Sequence, residues 1–380
     1  MLLSQQFRDR YDAEPTLSIR SPGRVNLIGE HVDYNDGFVL PMAIPLQTEI
    51  ALRPRDADKV VLHSPLFNES REFQLSHCGK QGNWIDYAQG VAWALHDEGI
   101  TTNGFEGIVM SNVPLASGLS SSASFEVAVA LAFLHIAGVE KSPRDVALLC
   151  QKAENRFIGV NCGIMDQMAV AACQADHALL LDCRDLSMRQ VPFKLRDHAI
   201  VITDSGAPRE LASSAYNERR AQCEEGLRIM QKQVPGAQSL RDISLDELDE
   251  MHSGMSSVVR RRLEHVIGEI ERTQLAVAAL EKGDLDSFGQ QMNLSHASLR
   301  DDYEVSSAEL DFLTDWARRQ PGVLGSRMTG AGFGGCTVTL IEKSRADAFI
   351  SGQIAAYGAA MNRQVRAWVC EAVDGAEVLD

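Results

Sequence analysis

RMTGAGFGGCTVTLIE, Arg327 to Glu342, contains a literal G-x-G-x-x-G in Gly330, Gly332 and Gly335. In a dinucleotide-binding fold such a run opens a helix inside a βαβ unit. Here it opens onto the β-branched strand CTVTLIE, and too little chain follows to complete the unit, so a Rossmann reading fails. The glycines read instead as a backbone loop closing over a neighbouring ligand, or as a plain tight turn. Outward from the loop, apolar spacing predicts a helix over 307–319 before it, and a helix over 345–357 and a strand over 364–372 after it. That succession suits an α+β sandwich. Further upstream, HAIVITDS at 198–205 reads as a strand, followed by charged helices around 208–232, 259–282 and 284–299. The composition shift there predicts a boundary between a segment 1–195 and a segment 196–380.

The front segment mixes strands and helices. FEGIVMS at 105–111 and HALLLDC at 177–183 read as short buried strands, whereas Trp84, Ile85, Ala88, Val91, Ala92 and Leu95 recur at helical spacing. A second helix is expected from Ser121 through Leu134. A third has Ser142 as N-cap, Pro143 at the first helical position and a stripe through Val146, Leu149, Ala153 and Phe157. There is no internal repeat and no low-complexity tract, and PGAQSL near 235 is the one linker-like spot.

Composition narrows the function. In 380 residues, 36 Lys+Arg against 52 Asp+Glu leave a net charge of −16, and 45% of residues are apolar. The chain is expected to be globular rather than disordered, with neither nucleic acid nor anionic membrane as a partner. A local phosphate site remains compatible. Eight cysteines form no C-x-x-C pair and no finger spacing, which points to reduced thiols in the cytoplasm. MLLSQQFRDRYD reaches Arg8, Asp9 and Arg10 before any signal-length apolar run, and the stretch Val127 to Gly138 is interrupted by His135 and too short to span a bilayer. Export and membrane insertion are not expected.

Two further segments carry chemistry. In SPGRVNLIGEHVDYNDGFVLPMAI, Ser21 to Ile44, a strand-like RVNLI delivers Gly29, Glu30, His31 and Asp33 into a turn closed by Asn35, Asp36 and Gly37. Carboxylates that accept from hydroxyls, beside an imidazole that donates or accepts, suit a neutral polyol. A carboxylate metal site and a solvated acidic turn are the alternatives. In NVPLASGLSSSASFEVAVALAFL, Asn112 to Leu134, a Gly/Ser loop runs straight into an apolar helix. Free N–H groups and the macrodipole at a helix start bind phosphate without lysine. The hydroxyls of Ser120, Ser121 and Ser122 could reach phosphate oxygens or a Mg²⁺, which takes only one or two protein oxygens beside a nucleotide. An ordinary serine-capped helix is the bland reading. No G-x-x-x-x-G-K-[ST] and no H-R-D or D-F-G set is present, which excludes P-loop and protein-kinase mechanisms.

In this order and spacing the three segments resemble the motifs of the GHMP small-molecule kinases. Gly23 to His31 with Asp33-Tyr34 is similar to the branch that phosphorylates galactose, and GIMDQ (163–167) and SSAYNERR (213–220) fill the middle in the expected order. The resemblance implies an α+β fold of two domains: an N-terminal domain like domain 2 of ribosomal protein S5 and a C-terminal ferredoxin-like α/β sandwich, with the active site between them. It implies ATP-dependent phosphorylation of the anomeric C1 hydroxyl of galactose, the entry step of galactose catabolism by the Leloir route. It also assigns roles: Asp166 as base, Arg24 as the transition-state cation, and Glu30, His31, Val32, Asp33, Gly163 and Tyr216 around the sugar. The nucleotide loop maps to Ala116, Ser117, Gly118, Leu119, Ser120, Ser121 and Ser122, and Mg²⁺ to Ser122 and Glu154. Galactose and ATP are the implied partners, and a monomer or weak homo-oligomer is expected. Two positions depart from the family: Ala116-Ser117 stands where relatives are more glycine-rich, and Ala331 where a Gly is common.

By residue type alone the same positions are unremarkable. Asp166 reads as a helix-start carboxylate, Arg24 as a surface ion pair, Tyr216 as an edge-of-core tyrosine and Glu154 as an exposed helical glutamate. Pocket size rather than phosphate machinery would decide among galactose, N-acetylgalactosamine, galacturonate and arabinose, although Glu30 and Asp33 disfavour galacturonate by charge repulsion. From a different class, a sensor that binds sugar and nucleotide without turnover is a further alternative.

Overall fold

Alternation in HAIVITD fixes the centre of one sheet. Ile200 and Ile202 face a core shared with Val338 and Leu340, while Val201 faces the opposite side with Ile341 and Phe349. A strand buried on both faces must be central, and it is. In the computed structural model, which describes residues 3–207, 212–251 and 253–379, the chain begins with α1 (Leu3–Tyr11), β1 (Leu17–Asn26), β2 (Phe38–Val39), β3 (Pro41–Pro54), β4 (Lys59–Ser64) and β5 (Glu69–Gln74). It continues through α2 (Ile85–Asp97), β6 (Phe105–Ser111), α3 (Ser121–Ala137), α4 (Pro143–Lys152), α5 (Met165–Ala172), β7 (His177–Asp182) and β8 (Met188–Pro192). The remainder is β9 (His198–Asp204), α6 (Ala212–Met230), α7 (Leu245–Glu250), α8 (Ser257–Lys282), α9 (Leu285–Asp301) and α10 (Ala308–Arg318). After these come β10 (Val323–Thr329), β11 (Cys336–Glu342), α11 (Ala346–Met361), β12 (Arg366–Cys370) and β13 (Glu377–Leu379).

Three sheets result among the described residues: six strands in the order β13-β1-β3-β6-β4-β5, four in the order β10-β11-β9-β12, and a small sheet β2-β7-β8. Every pairing between these strands is antiparallel except β4 with β6, among the described residues. The glycine-rich loop joins β10 to β11, so it closes an antiparallel hairpin as its strand context requires. A division of the chain at residue 195 leaves one piece across the line, because β13 returns to pair with β1. The predicted helix over 208–232 is present from residue 212, and 208–211 lie outside the described residues.

Two local features position the site. The β1–β3 register shifts between Pro22 and Gly23, where proline lacks an N–H and a Cβ on Gly23 would stand 2.9 Å from the Leu119 carbonyl. Beyond that bulge β1 lies against the loop before α3, and the Arg24 N–H donates to the Leu119 carbonyl at 3.2 Å. α3 itself is mostly apolar and buried from Ala123 to Leu134 save for the partly buried Leu131, which makes it the pillar of the first core. α4 starts as read, with the Ser142 side chain accepting from Asp145 N–H and Pro143 in the first turn. It then widens into a π turn, Ala153–Ile158, stopped by Gly159 at φ 87°. Such turns re-aim side chains out of helical register, and this one carries Glu154.

Candidate active site

A cavity of about 530 Å³ opens where β1, the loop before α3, the start of α5 and the glycine-rich loop meet. At its floor Arg24 donates from Nε (2.9 Å) and Nη2 (2.5 Å) to Asp166 Oδ1, and from Nη1 to the Gly118 carbonyl at 2.6 Å. The pair is not the surface contact expected from residue type: the Arg24 side chain is 4% exposed and that of Asp166 33%. Asp166 sits in the first turn of α5, and its Oδ2 accepts from Ser120 Oγ at 2.6 Å. The Ser120 hydroxyl is therefore turned to Asp166 and not to a phosphate. Its backbone is left-handed, with φ 61°.

The residues expected around a sugar, except Val32, line the same cavity. Glu30, almost fully buried, accepts from Asn26 Nδ2 (2.5 Å), Thr329 Oγ1 (3.1 Å) and Gly330 N–H (2.6 Å) and lies 3.6 Å from Arg327 Nη1. Burial nevertheless raises its carboxyl above the usual range. His31 has Nε2 3.2 Å from the Ala331 carbonyl, which can only accept, so that nitrogen carries the proton and Nδ1 accepts from Tyr34 Oη at 2.8 Å. Burial lowers His31 to about 3, and the ring is neutral. Asp33 is pushed up to about 7, by burial first and then by the nearby charges of Asp166 and Glu30. A Cβ at position 163 would stand 1.8 Å from Asp33 Oδ2, so only glycine lets the chain approach there. Tyr216 packs its ring 5.6 Å from that of His31 and 5.3 Å from that of Tyr34. Val32 does not join them: its side chain is fully buried in the core and its carbonyl accepts from Asn35 and Gly37 N–H.

The loop 116–120 bends through positive φ at Ala116 (55°), Gly118 (85°) and Ser120 (61°) into the N-terminus of α3. Ala116 tolerates this at a cost of about 1–2 kcal/mol relative to glycine. Ser117 Oγ donates to the Pro114 carbonyl, and the Leu119 side chain is core, so these two shape the loop and their side chains point away from the cavity. Ser121 and Ser122 remain partly exposed in the first turn. Ala331 has no positive φ among the described residues, so its Cβ fits a backbone where glycine is common.

Glu154 is the clearest departure from residue-type expectation. Instead of facing solvent it is buried, accepts from Gln167 Nε2 at 2.6 Å, is hydrogen-bonded by the Ser122 hydroxyl, and borders the cavity. Burial first, and then the Asp166 charge, raise it to about 7. Two oxygens side by side, at a helix start and in surplus negative potential, fit a Mg²⁺ that takes its other ligands from phosphate and water.

Comparison with known proteins identifies the family. A model described as the galactokinase galactose-binding signature matches residues 5–54, and GHMP kinase N- and C-terminal domain models match 86–174 and 276–359. Galactokinases from a Roseiflexus species and from Homo sapiens are 45% and 44% identical, each over 98% of this chain and 95% of theirs. The chain belongs to the galactokinase family. A crystal structure of Lactococcus lactis galactokinase complexed with galactose superposes with a TM-score of 0.94 at 38% identity, covering 99% of this chain and 98% of that one. A mevalonate kinase at 18% identity and TM-score 0.66, covering 94% and 100%, shares the fold. The two-domain GHMP kinase architecture is thus the galactokinase one. Motif reading missed Ser120 as a partner of Asp166, Gln167 as the donor to Glu154, Thr329 and Gly330 as donors to Glu30, and Tyr34 as the donor to His31. Thr329, Gln167 and Tyr34 all fell inside quoted motifs without a role, which is the signal that could have found them.

Proposed function

We propose that this protein transfers the γ-phosphoryl group of ATP to the anomeric hydroxyl of galactose, giving galactose 1-phosphate and ADP. The observation that carries it is one cavity in which the buried Arg24, paired with the half-buried Asp166, and a helix N-terminus meet a cluster of groups suited to a polyol. Asp166 Oδ1 is filled by two guanidinium donors while Oδ2 has one donor, so Oδ2 retains a lone pair to accept the C1 hydroxyl proton as the oxygen attacks phosphorus. Arg24 holds that carboxylate and presents its charge where the transferring group becomes most negative. Glu30, His31, Asp33, Gly163 and Tyr216 orient the sugar, and the amides of 116–122 take the phosphates.

Ser122 and Glu154 would hold the Mg²⁺, which when bound neutralises phosphate charge. We expect Ser122→Ala to raise the KM for Mg²⁺·ATP, with partial recovery at high Mg²⁺, while galactose affinity stays unchanged; a fall in galactose affinity without Mg²⁺ rescue would remove the assignment. No disulfide joins the cysteines among the described residues, which supports a cytoplasmic location. No helix among the described residues is long and apolar enough to cross a membrane. A monomer or weak homo-oligomer, tested by sedimentation, and a domain division near residue 195, tested by limited proteolysis, complete the proposal.

Coupled ADP release with a panel of hexoses tests the function. Galactose should exceed its 4-epimer glucose in kcat/KM by about 10² to 10⁴, because the buried polar groups around the sugar are left mispaired by an inverted hydroxyl. Equal values for the two sugars, or no ADP release at all, would sink the proposal, the latter in favour of a sensor.

A further inference from the structure

The peptides around Glu30 take hydrogen-bond partners from outside their own turn. Gly29 and His31, either side of Glu30, have φ of 96° and 62°, so the intervening peptides lie outside any regular ladder and need partners elsewhere. Those partners come from α8, far along the sequence. Glu269, fully buried, accepts on Oε1 from Gly29 N–H (3.0 Å), Glu30 N–H (3.3 Å) and Ser295 Oγ (2.5 Å), and on Oε2 from Arg272 Nε (2.8 Å). One helical turn earlier, His265 Nε2 lies 3.1 Å from the Glu30 carbonyl, as the donor that a carbonyl requires. The backbone of Glu30 is therefore gripped on both sides by residues i and i+4 of one helix face. Glu269 does not line the cavity.

We propose that Glu269 is a positioning residue for sugar recognition, its buried carboxylate fixing the Gly29–Glu30 backbone so that Glu30, His31 and Asp33 converge on one sugar. This rests on the galactose-phosphorylating reading. Charge suits the task, since one oxygen serving three donors needs the full acceptor capacity of a carboxylate. Burial works against that charge, and Arg272 foremost outweighs it, holding Glu269 down to about 2. The anchor consequently keeps its charge across the working pH range.

The test compares full-length Glu269→Gln and Glu269→Ala with the unaltered protein by steady-state kinetics with each substrate varied, and by hydrogen–deuterium exchange of a peptide covering 27–34. Removing a charged acceptor from these amides should raise the galactose KM about ten- to a hundredfold in Glu269→Ala, with the ATP KM within about twofold. Glu269→Gln, which keeps an acceptor oxygen, should fall between. Exchange in 27–34 should quicken in the same order. A merely structural role would lower the melting temperature and the active fraction while leaving both KM values in place, and that result overturns the proposal. So does an equal rise in both KM values. If Glu269→Ala does not fold, the isosteric Glu269→Gln still decides, because unchanged exchange and unchanged galactose KM in that folded variant overturn it. If the unaltered protein fails to phosphorylate galactose, the functional reading falls, whereas the exchange comparison still reports on the anchor.

Discussion

Asp166→Asn should leave a folded protein that binds both substrates and turns over about 10² to 10⁴ times more slowly, equivalent to roughly 3–5 kcal/mol of barrier. The geometry explains why the loss should fall on chemistry. The asparagine carbonyl can keep the place of Oδ1 against the Arg24 guanidinium, and the amide nitrogen in place of Oδ2 can donate to Ser120 Oγ, whose hydroxyl rotates to suit. What disappears is the lone pair on Oδ2 that accepts the sugar proton. Stability should drop, because Arg24 is buried and loses its counter-charge. The drop is moderated by the Gly118 carbonyl, which remains a partner, and by Asp166 itself being a third exposed. Near-normal kcat at saturating ATP and galactose, measured on folded protein, would leave Asp166 only an orienting role.

Much of this molecule is written locally. Strands 105–111 and 336–342 and the helix from Ser121 stand where apolar periodicity and capping put them, because each element is specified by residues within itself. The three chemical segments were visible for the same reason: a turn, a helix start and a hairpin loop are short-range objects. The pairings between them were not. That β13 returns to β1, that β2 pairs with β7, and that α8 supports the Gly29–Glu30 turn are decisions of tertiary packing, to which no window of sequence is sensitive. Glu154 shows the same limit at one residue. Its neighbours spell an exposed helical position, and only the π turn and the approach of Gln167 from α5 bury it. Val32 shows the converse: it lies inside the same motif, yet the turn that brings Asp33 to the cavity points the Val32 side chain into the core.

Arg24→Ala should cost more than Asp166→Asn and in a different pattern. If the comparison with arginine fingers holds, turnover falls by up to about 10³ to 10⁵, and the KM for ATP rises as well, since the guanidinium braces the Gly118 carbonyl of the phosphate loop. Arg24→Lys should recover part of the ATP affinity and little of the rate, because a single ammonium cannot hold both Asp166 Oδ1 and Gly118 in the planar geometry that Nε, Nη1 and Nη2 provide. Galactose binding should change least, its polar partners Glu30, His31 and Asp33 being fixed from other elements. The decisive measurement is the double variant. Arg24 holds the carboxylate that accepts the proton, and the carboxylate is useful only when the transferring group is stabilised, so the two losses describe one device. Arg24→Ala combined with Asp166→Asn should be scarcely slower than the worse single variant. A double variant slowed by the product of the two single losses would mean that the residues act independently, and the buried pair at the floor of the cavity would then be a structural ion pair beside the reaction and no part of it.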